Sequence, residues 1–348
     1  MNAIRSARNW TTIGFLAGLP LVLFLVSFFL GRYAIDPITA VQIIVAAIID
    51  AIPGFPLSIP HTWPAVMDTV VLKIRLPRIC AAMLVGAGLA ISGAAFQGLF
   101  RNPLVSPHIL GVASGAGFGA ALGILISGSM FVVQSLAFTF GIIAVVVTYL
   151  LARVYRTTPT LVLVLAGIIV SAFFQAMISL TKYVADPYEK LPAIVFWMMG
   201  SLADVRVGDL YIIAPLIIVC IVILLLIRWR INILSVGDEE AKALGINTTR
   251  MAQIIIVCAT VITSMAVCIS GIIGWVGLVV PHIARMIVGP DYKKILPVSV
   301  VIGACYLLVV DDIARTLTAA EIPLGILTAV IGAPVFAYLL KFRKVGWE

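Results

Sequence analysis

Polar side chains that could bind or react are concentrated in a few short stretches of this 348-residue chain. One such stretch, residues 235–250, contains the acidic run Asp238–Glu240 near its start. Acidic residues stabilise the first turn of a helix, and a glycine such as Gly245 suits the left-handed residue that ends one. Asn247 can then cap the next helix. The stretch predicts a short polar helix and a tight turn, which is either a solvated connector or a docking helix for a soluble partner.

Three arginines stand at the ends of long apolar runs. Arg75 and Arg78 precede one run, and Arg315 closes another, shortly after Asp311 and Asp312. Long basic side chains commonly extend along apolar surface to reach water. Arg75 and Arg78, however, lie on the outer side, which should be poor in basic residues if the apolar runs span a membrane, and this favours a receptor surface for an acidic partner. Because Asp311 and Arg315 are four residues apart, an internal ion pair is an equally good interpretation.

Several kinds of chemistry have no counterpart in the sequence. The three histidines form no H-E-x-x-H motif or His/Cys cluster, so we predict no metal site. The dipeptide Gly-Lys never occurs, which excludes the phosphate-binding loop G-x-x-x-x-G-K-[ST] and nucleotide hydrolysis by that route. The five cysteines lie inside apolar runs without C-x-x-C spacing, as small buried residues do. We therefore expect a chain that is not an enzyme.

The hydropathy of the chain predicts the elements that position these residues. Hydrophobic residues make up 62% of it and charged residues only 11%, too few charges for a soluble domain of this size. A spanning helix needs about 20 apolar residues, and backbone groups in lipid must bond within their own segment. The alternation typical of barrel strands does not occur. We predict an all-α polytopic membrane protein with ten transmembrane helices, at residues 12–30, 79–99, 108–127, 131–152, 161–181, 210–227, 251–270, 275–288, 295–314 and 323–340.

The distribution of lysine and arginine predicts the orientation. With ten spans and the N-terminus in the cytoplasm, the cytoplasmic side collects 15 of the 23 basic residues. Counting the short apolar run 38–52 as an eleventh span would reverse every later loop, so we interpret it as interfacial or packed against other helices. Both termini are then cytoplasmic, and we expect the protein to lie in the cell (inner, cytoplasmic) membrane. The net charge of +8 reflects this orientation and not nucleic-acid binding.

An ordered set of motifs runs from about Arg75 to Leu340. Its members are Arg75-Leu76-Pro77-Arg78, Gly93 with Gln97, Arg101–Pro107, Trp197–Ser201, Ala243-Leu244-Gly245, Gly271–Ile283 with Asp291, Asp311 with Arg315, Glu321–Gly325 and Gly332–Phe336. A single Asn-Pro-Leu would carry no weight, whereas the ordered set is specific. It resembles the permease family of ABC importers for ferric siderophores, haem and cobalamin.

The resemblance implies a single transmembrane permease domain over residues 1–348, with the ten-helix fold of the cobalamin-importer permeases, the type II ABC importers. It implies a homodimer in the lipid bilayer around a central translocation pathway. Two ATP-binding cassette subunits would bind ATP and Mg²⁺ and dock on a cytoplasmic coupling loop, residues 235–250, while this chain itself holds no cofactor. An extracytoplasmic binding protein would deliver the substrate from outside.

The same resemblance implies roles for individual residues. ATPase coupling falls on Glu240, Ala241, Ala243, Leu244, Gly245 and Ile246. Docking of the binding protein falls on Arg75, Arg78 and Arg315, whose family counterparts meet acidic residues of that protein. The residues implied to line a pathway or gate are Thr160, Asn102, Pro103, Gly277 and Pro281.

The chain departs from the family pattern at two places. Trp275 stands where relatives usually carry Phe; tryptophan is bulkier but also largely apolar, and it should be tolerated. Six positions separate Arg315 from Glu321, where the family commonly has seven. One residue rotates a helical position by about 100°, so the outward direction of Arg315 is less securely implied than that of Arg75.

The resemblance leaves the substrate open. A ferric siderophore is the commonest cargo of the family, haem and cobalamin are other metal chelates, and an oxyanion such as molybdate is the alternative. A secondary transporter driven by an ion gradient is a rival, but it would need buried Asp, Glu or His near mid-membrane, and only Asp311 and Asp312 come close. For an intramembrane enzyme, a second rival, no catalytic constellation converges.

Overall fold

The computed structural model describes residues 18–50, 52, 59–153 and 160–342, and every regular element among them is helical. The start of the first predicted span, residues 12–17, and both predicted cytoplasmic termini lie outside the described residues. A π-helical segment, Thr69–Arg75, joins the helices Ala65–Asp68 and Leu76–Phe100, and a 3₁₀ turn, Pro107–Leu110, precedes the helix Val112–Ile126. In chain order the helices are α1 Gly18–Ser27, α2 Pro37–Asp50, α3 Ala65–Asp68, α4 Leu76–Phe100, α5 Val112–Ile126, α6 Met130–Ala152, α7 Thr160–Val184, α8 Lys190–Met199, α9 Val207–Leu226, α10 Arg228–Leu234, α11 Asp238–Ala243, α12 Thr248–Ser270, α13 Val276–Val288, α14 Tyr292–Thr316 and α15 Leu324–Phe342.

Six of the described helices are long and apolar enough to cross a membrane. They are the continuous segment Ala65–Phe100, which contains α4, together with α6, α7, α9, α12 and α14. All six lie on predicted spans, and the shorter helices α1, α5, α13 and α15 lie on the four others. The all-helical, multi-span class is thus confirmed, whereas the count of ten spans stays a prediction.

Two of the shorter apolar helices lie outside the predicted spans. α2 covers the short apolar run with 14 residues, about 21 Å at 1.5 Å per residue, less than the roughly 30 Å of a hydrocarbon core. It buries Ala40, Ile43 and Ala46, as expected for a helix packed against others. α8 is not predicted from hydropathy, because ten residues that begin at Lys190 are too few for a span.

α4 lies at the centre of the core and packs on α9, α12, α13 and α14. At its crossing with α14, a Cβ built on Gly86 would overlap the carbonyl oxygen of Gly303, and one on Gly303 would overlap that of Gly86. At its crossing with α13, a Cβ on Gly93 would overlap the carbonyl oxygen of Gly277. Helices in lipid are stabilised by such close packing, because hydrophobicity provides no net attraction between them. These glycines therefore set the spacing of the central helices.

Helices at the periphery expose apolar side chains instead. α7 exposes Leu161, Ile169 and Phe173, and α9 exposes Tyr211 and Ile212. On a soluble protein such a surface would be an interaction site or an aggregation hazard. On a spanning helix it faces lipid or a neighbouring subunit.

Candidate functional sites at the two ends of the bundle

The polar stretch 235–250 folds as the sequence predicts. α11 begins directly after Gly237 and carries three acidic residues in its first turn. Gly245 follows with φ of +77°, the left-handed conformation that favours glycine. The Asn247 Oδ1 accepts a hydrogen bond from the Arg250 N–H at 2.9 Å and caps α12. The predicted short helix, tight turn and re-entry into the bundle are therefore confirmed as local structure.

α11 packs against the bundle through one face. It packs on α10 and α12, with Ala241 and Ile246 buried and the Ile246 N–H donating to the Ala241 carbonyl. The other members of the predicted coupling set are exposed: Glu240, Ala243, Leu244 and Gly245. Leu244 is 66% exposed. This polar helix is too short and too acidic to lie in lipid, so the exposed leucine directly after it is available to another protein.

A groove of about 410 Å³ lies beside this turn, between α10 and α12. Trp229, Arg230, Leu244 and Arg250 are among its lining residues. The Arg230 guanidinium lies 5.3 Å from the centroid of the Trp229 ring, within the range of a cation–π contact. The α11 end of the bundle thus offers a recess with a basic and aromatic rim, which can accept an apolar or acidic group.

The three predicted docking arginines meet at the opposite end of the bundle. Arg78 lies between two carboxylates. Its Nε is 3.0 Å from each oxygen of Asp311, and its Nη1 is 2.9 Å from Glu321 Oε1. Arg315 contacts Asp312 at 2.5 Å and Asp311 at 3.8 Å. We call these residues, with Arg75, the arginine cluster; it contains three arginines and three carboxylates.

Two of these arginines hold the end of α1. Arg75 donates to the carbonyl oxygens of Phe28 and Tyr33, both at 2.5 Å. Arg315 donates to those of Ser27 at 2.7 Å and Leu30 at 2.8 Å. The last carbonyls of a helix have no partner within it, so cations are favourable there. The sequence does not predict these contacts, because the C-terminus of a helix gives no signal of which distant side chain will reach it.

Burial decides between the two interpretations of these residues that the sequence left open. Arg75, Arg78 and Arg315 are 3%, 6% and 5% exposed. Their side chains point into the protein and are paired there, which includes the internal Asp311–Arg315 contact expected from the four-residue spacing. The predicted free, outward-facing basic surface is therefore not present in the single chain. Docking of an acidic partner at this end stays a prediction.

The residues assigned to a pathway or gate fall in separate elements. Thr160 is the first residue of α7, next to residues 154–159, which lie outside the described part. Asn102 and Pro103 form the turn after α4, where Asn102 Oδ1 accepts from the Leu104 N–H at 2.9 Å. Gly277 and Pro281 are buried in α13. In the single chain these last two are packing residues, and their place along a pathway stays a prediction.

Three of the quoted motifs meet at the arginine end. The Ser201 N–H donates to the Ser270 carbonyl, and the Leu324 N–H donates to the Gly200 carbonyl, both at 2.9 Å. These bonds join the ends of α8, α12 and α15. Trp275 precedes α13 with φ of +68°, which is rare for a bulky residue and stores backbone strain. Each motif is recognisable in the sequence, but the sequence does not predict that the three lie next to one another in the fold.

Comparisons with known proteins agree on one family. The profile of the FecCD transport family matches residues 13–342. The molybdate import system permease protein MolB of Haemophilus influenzae is 41% identical over 321 residues, 89% of this chain and 95% of that protein. A probable iron chelatin transport system permease protein of Helicobacter pylori is 41% identical over 280 residues, 80% of this chain and 84% of that protein.

One solved structure is similar over nearly the whole chain. It is described as an ABC transporter of the metal-chelate type in an inward-facing conformation, and it superimposes with a TM-score of 0.81. Its sequence is 39% identical, and the match covers 95% of this chain and 98% of that one. The likeness therefore concerns the fold as a whole and not one motif.

Proposed function

This chain belongs to the FecCD transport family, and from that premise we propose that it carries a metal chelate through the membrane as the permease subunit of an ABC importer. The resemblance inferred from the ordered motifs is thus confirmed at the level of the family. In this role the chain performs no covalent chemistry. It holds two helix packings, open to one side of the membrane or the other, and its partners shift the balance between them.

The observation that carries this proposal is the exposed helix α11. Residence in lipid alone does not require a short acidic helix that is followed by Leu244, 66% exposed, and by Gly245 in the left-handed conformation. We assign this surface to docking of the ATPase subunits, which bind ATP and Mg²⁺. The adjacent groove with Trp229 and Arg230 supports the assignment. This end of the bundle is then cytoplasmic, as the basic residues predict.

The opposite end is then extracytoplasmic, and we assign it to the substrate-binding protein. The arginine cluster supports this placement, because it concentrates charge at the surface end of otherwise apolar helices. Glu321 is its accessible member, with a side chain that is 31% exposed and that holds Arg78 at 2.9 Å. An acidic partner would have to move the loop that carries Glu321 in order to reach Arg78.

A second copy of the chain is the remaining partner that we propose. The exposed apolar side chains of α7, among them Ile169 and Phe173, support an interface between copies. The pathway would then run between the two subunits, with Thr160 at the first turn of α7 near its cytoplasmic end.

The substrate class rests on the relatives. The names of the Helicobacter pylori relative and of the solved structure support a metal chelate, with a ferric siderophore first and haem or cobalamin as other members of the class. An oxyanion such as molybdate is the second candidate, because the match to MolB covers more of both proteins than the match to the iron chelatin permease.

One reconstitution experiment tests both levels of the proposal. The permease is purified with its ATPase subunits and binding protein and placed in vesicles. Uptake of radiolabelled ferric siderophore and of radiolabelled molybdate is then measured with and without ATP. We expect ATP-dependent uptake of the chelate. Uptake of molybdate alone would select the second candidate, and accumulation under a proton or sodium gradient without the ATPase would refute the importer.

A further inference from the structure

Six polar side chains at the α11 end of the bundle link four elements of the core to α11. They come from α4 and its C-terminal end, α10, α11, α13 and α14. Hydrogen bonds and one ion pair, together with the backbone, connect them in a closed ring. We call this set the polar ring: Gln97, Arg101, Asn232, Asp238, Arg285 and Tyr292.

Arg101 ties α4 to the start of α11. It ends α4 in the left-handed conformation, with φ of +52°, and its N–H donates to the Gln97 carbonyl. From there its Nη2 reaches the Oδ1 of Asp238 at 2.9 Å. Asp238 is the first residue of α11. The pair therefore joins the proposed docking helix directly to the central helix of the core.

The other contacts lead from α4 back to α10. Arg285 in α13 donates through Nη2 to Gln97 Oε1 at 3.3 Å and to the Tyr292 hydroxyl at 3.0 Å. The backbone N–H of Tyr292, the first residue of α14, donates to Asn232 Oδ1 in α10 at 2.9 Å. Because α10 continues along the chain into α11, the backbone closes the ring. Gln97 is completely buried, so this part of the ring is shielded from water.

Side chains of α10 and α14 pack tightly against the backbone of α4 at the same place. A Cβ built on Gly98 would lie 2.6 Å from the Ile231 Cγ2 and 3.1 Å from the Tyr292 Cε1. α4, α10 and α14 therefore meet at Gly98 with no room for a side chain. Close-packed contacts of this kind shift between discrete arrangements and do not deform gradually.

We propose that the polar ring makes α11 and the adjoining ends of α4, α13 and α14 move as one body, with Arg101 as the residue that positions α11 on α4. The proposal rests on the proposed function and deepens it, because it names the route by which ATPase motion reaches the core. The Arg101 and Asp238 side chains are 37% and 54% exposed. An ion pair so exposed stabilises a fold little, so its loss should loosen α11 without unfolding the permease.

The test uses the complete complex in vesicles, with radiolabelled ferric siderophore and molybdate as probes. Arg101→Gln, Asp238→Asn and the charge-swapped double variant R101D/D238R are compared with the wild type for uptake, ATP hydrolysis and melting temperature. We expect each single variant to transport about fivefold less substrate per ATP hydrolysed, at an unchanged melting temperature. The double variant restores the opposite charges and should recover most of the loss.

Two further variants distinguish a positioning role of the polar ring from a nonspecific effect of substitutions in this region. Tyr292→Phe removes the hydroxyl that accepts from Arg285 and should also lower transport per ATP. Lys293→Gln changes an exposed basic residue next to it, outside the ring, and should leave the ratio unchanged. Single variants with the wild-type ratio, or a double variant that recovers nothing at unchanged stability, overturn the proposal. A wild-type complex that shows no ATP-driven uptake of either probe, nor of haem or cobalamin, refutes the proposed function itself, and the proposal falls with it.

Discussion

Arg78 and Asp311 form a bidentate ion pair inside the bundle, and this pair joins α4 to α14. The Arg78 Nε lies 3.0 Å from both Asp311 oxygens, and its Nη2 lies 2.9 Å from Oδ1. The Asp311 side chain is fully buried, and that of Arg78 is 7% exposed. Buried charges are tolerated when each is paired, because an uncompensated one is very unfavourable. The pair therefore restricts how α4 and α14 can slide against each other at the arginine end.

Replacement of Asp311 by Asn should lower the free energy of unfolding strongly, because it leaves the Arg78 charge without its main partner. Loss of one member of a buried pair typically costs about 3–5 kcal/mol. Thermal unfolding in detergent measures the change. Glu189→Gln is the control, since the Glu189 side chain is 81% exposed and lies 3.6 Å from Lys190, a contact whose loss should change little. A D311N protein that melts like the wild type would contradict this role of Asp311.

Replacement of Arg75 by Gln should loosen the end of α1. The shorter side chain cannot reach the carbonyls of Phe28 and Tyr33, which lose their donor. A buried acceptor without a partner costs about 1–3 kcal/mol. Hydrogen exchange of the amides of residues 28–33 should become faster, whereas those of α12 should be unaffected. Equal protection in both proteins would show that Arg75 does not hold this segment.

Charge reversal of Arg75 and Arg78 should weaken binding of the substrate-binding protein, with a loss that depends on ionic strength. Because both arginines also hold internal contacts, the binding assay needs variants shown to be folded by size-exclusion chromatography. Arg78→Lys serves as the matched variant: it keeps the charge and loses the planar fork. A folded double reversal with unchanged affinity would reject the docking role of this pair.

Replacement of Gly86 by Ala should destabilise the bundle, because the new methyl group would overlap the carbonyl oxygen of Gly303. Overpacking of this kind costs about 1–3 kcal/mol. Gly208→Ala is the control, since a Cβ at that position meets nothing within 4 Å. The melting temperatures of the two variants in detergent provide the comparison. Equal values would mean that α4 and α14 do not require this close approach.

Replacement of Gly245 by Val should uncouple ATP hydrolysis from uptake. A Cβ there has space, but φ of +77° is unfavourable for a β-branched residue. The end of α11 would then shift, and the exposed Leu244 with it. Gly245→Asn is the matched variant, because asparagine tolerates the left-handed conformation. Uptake per ATP should fall for Val and stay near wild type for Asn; normal transport by the Val variant would remove Gly245 from the coupling surface.

Local features were predictable from the sequence, because their causes are local. The apolar runs of α6 and α12 are set by hydropathy over about 20 residues, whatever the rest of the chain does. The helix and turn at 238–247 follow from acidic residues, a glycine and a capping asparagine that are neighbours in the chain. α8 was not predicted, because its ten residues are fewer than the roughly 20 apolar residues by which a spanning helix is recognised.

Which residues meet was decided only by the tertiary structure. Arg78 and Asp311 are separated by 233 positions, and Arg315 and Ser27 by 288. Sequence spacing alone left an outward basic surface and an internal ion pair equally open, because the direction of a side chain depends on how helices cross. Those crossings are set by close packing at glycines such as Gly86 and Gly303. The sequence therefore determined a multi-span membrane protein with a helix–turn between two spans, and three-dimensional packing decided that its arginines pair inside.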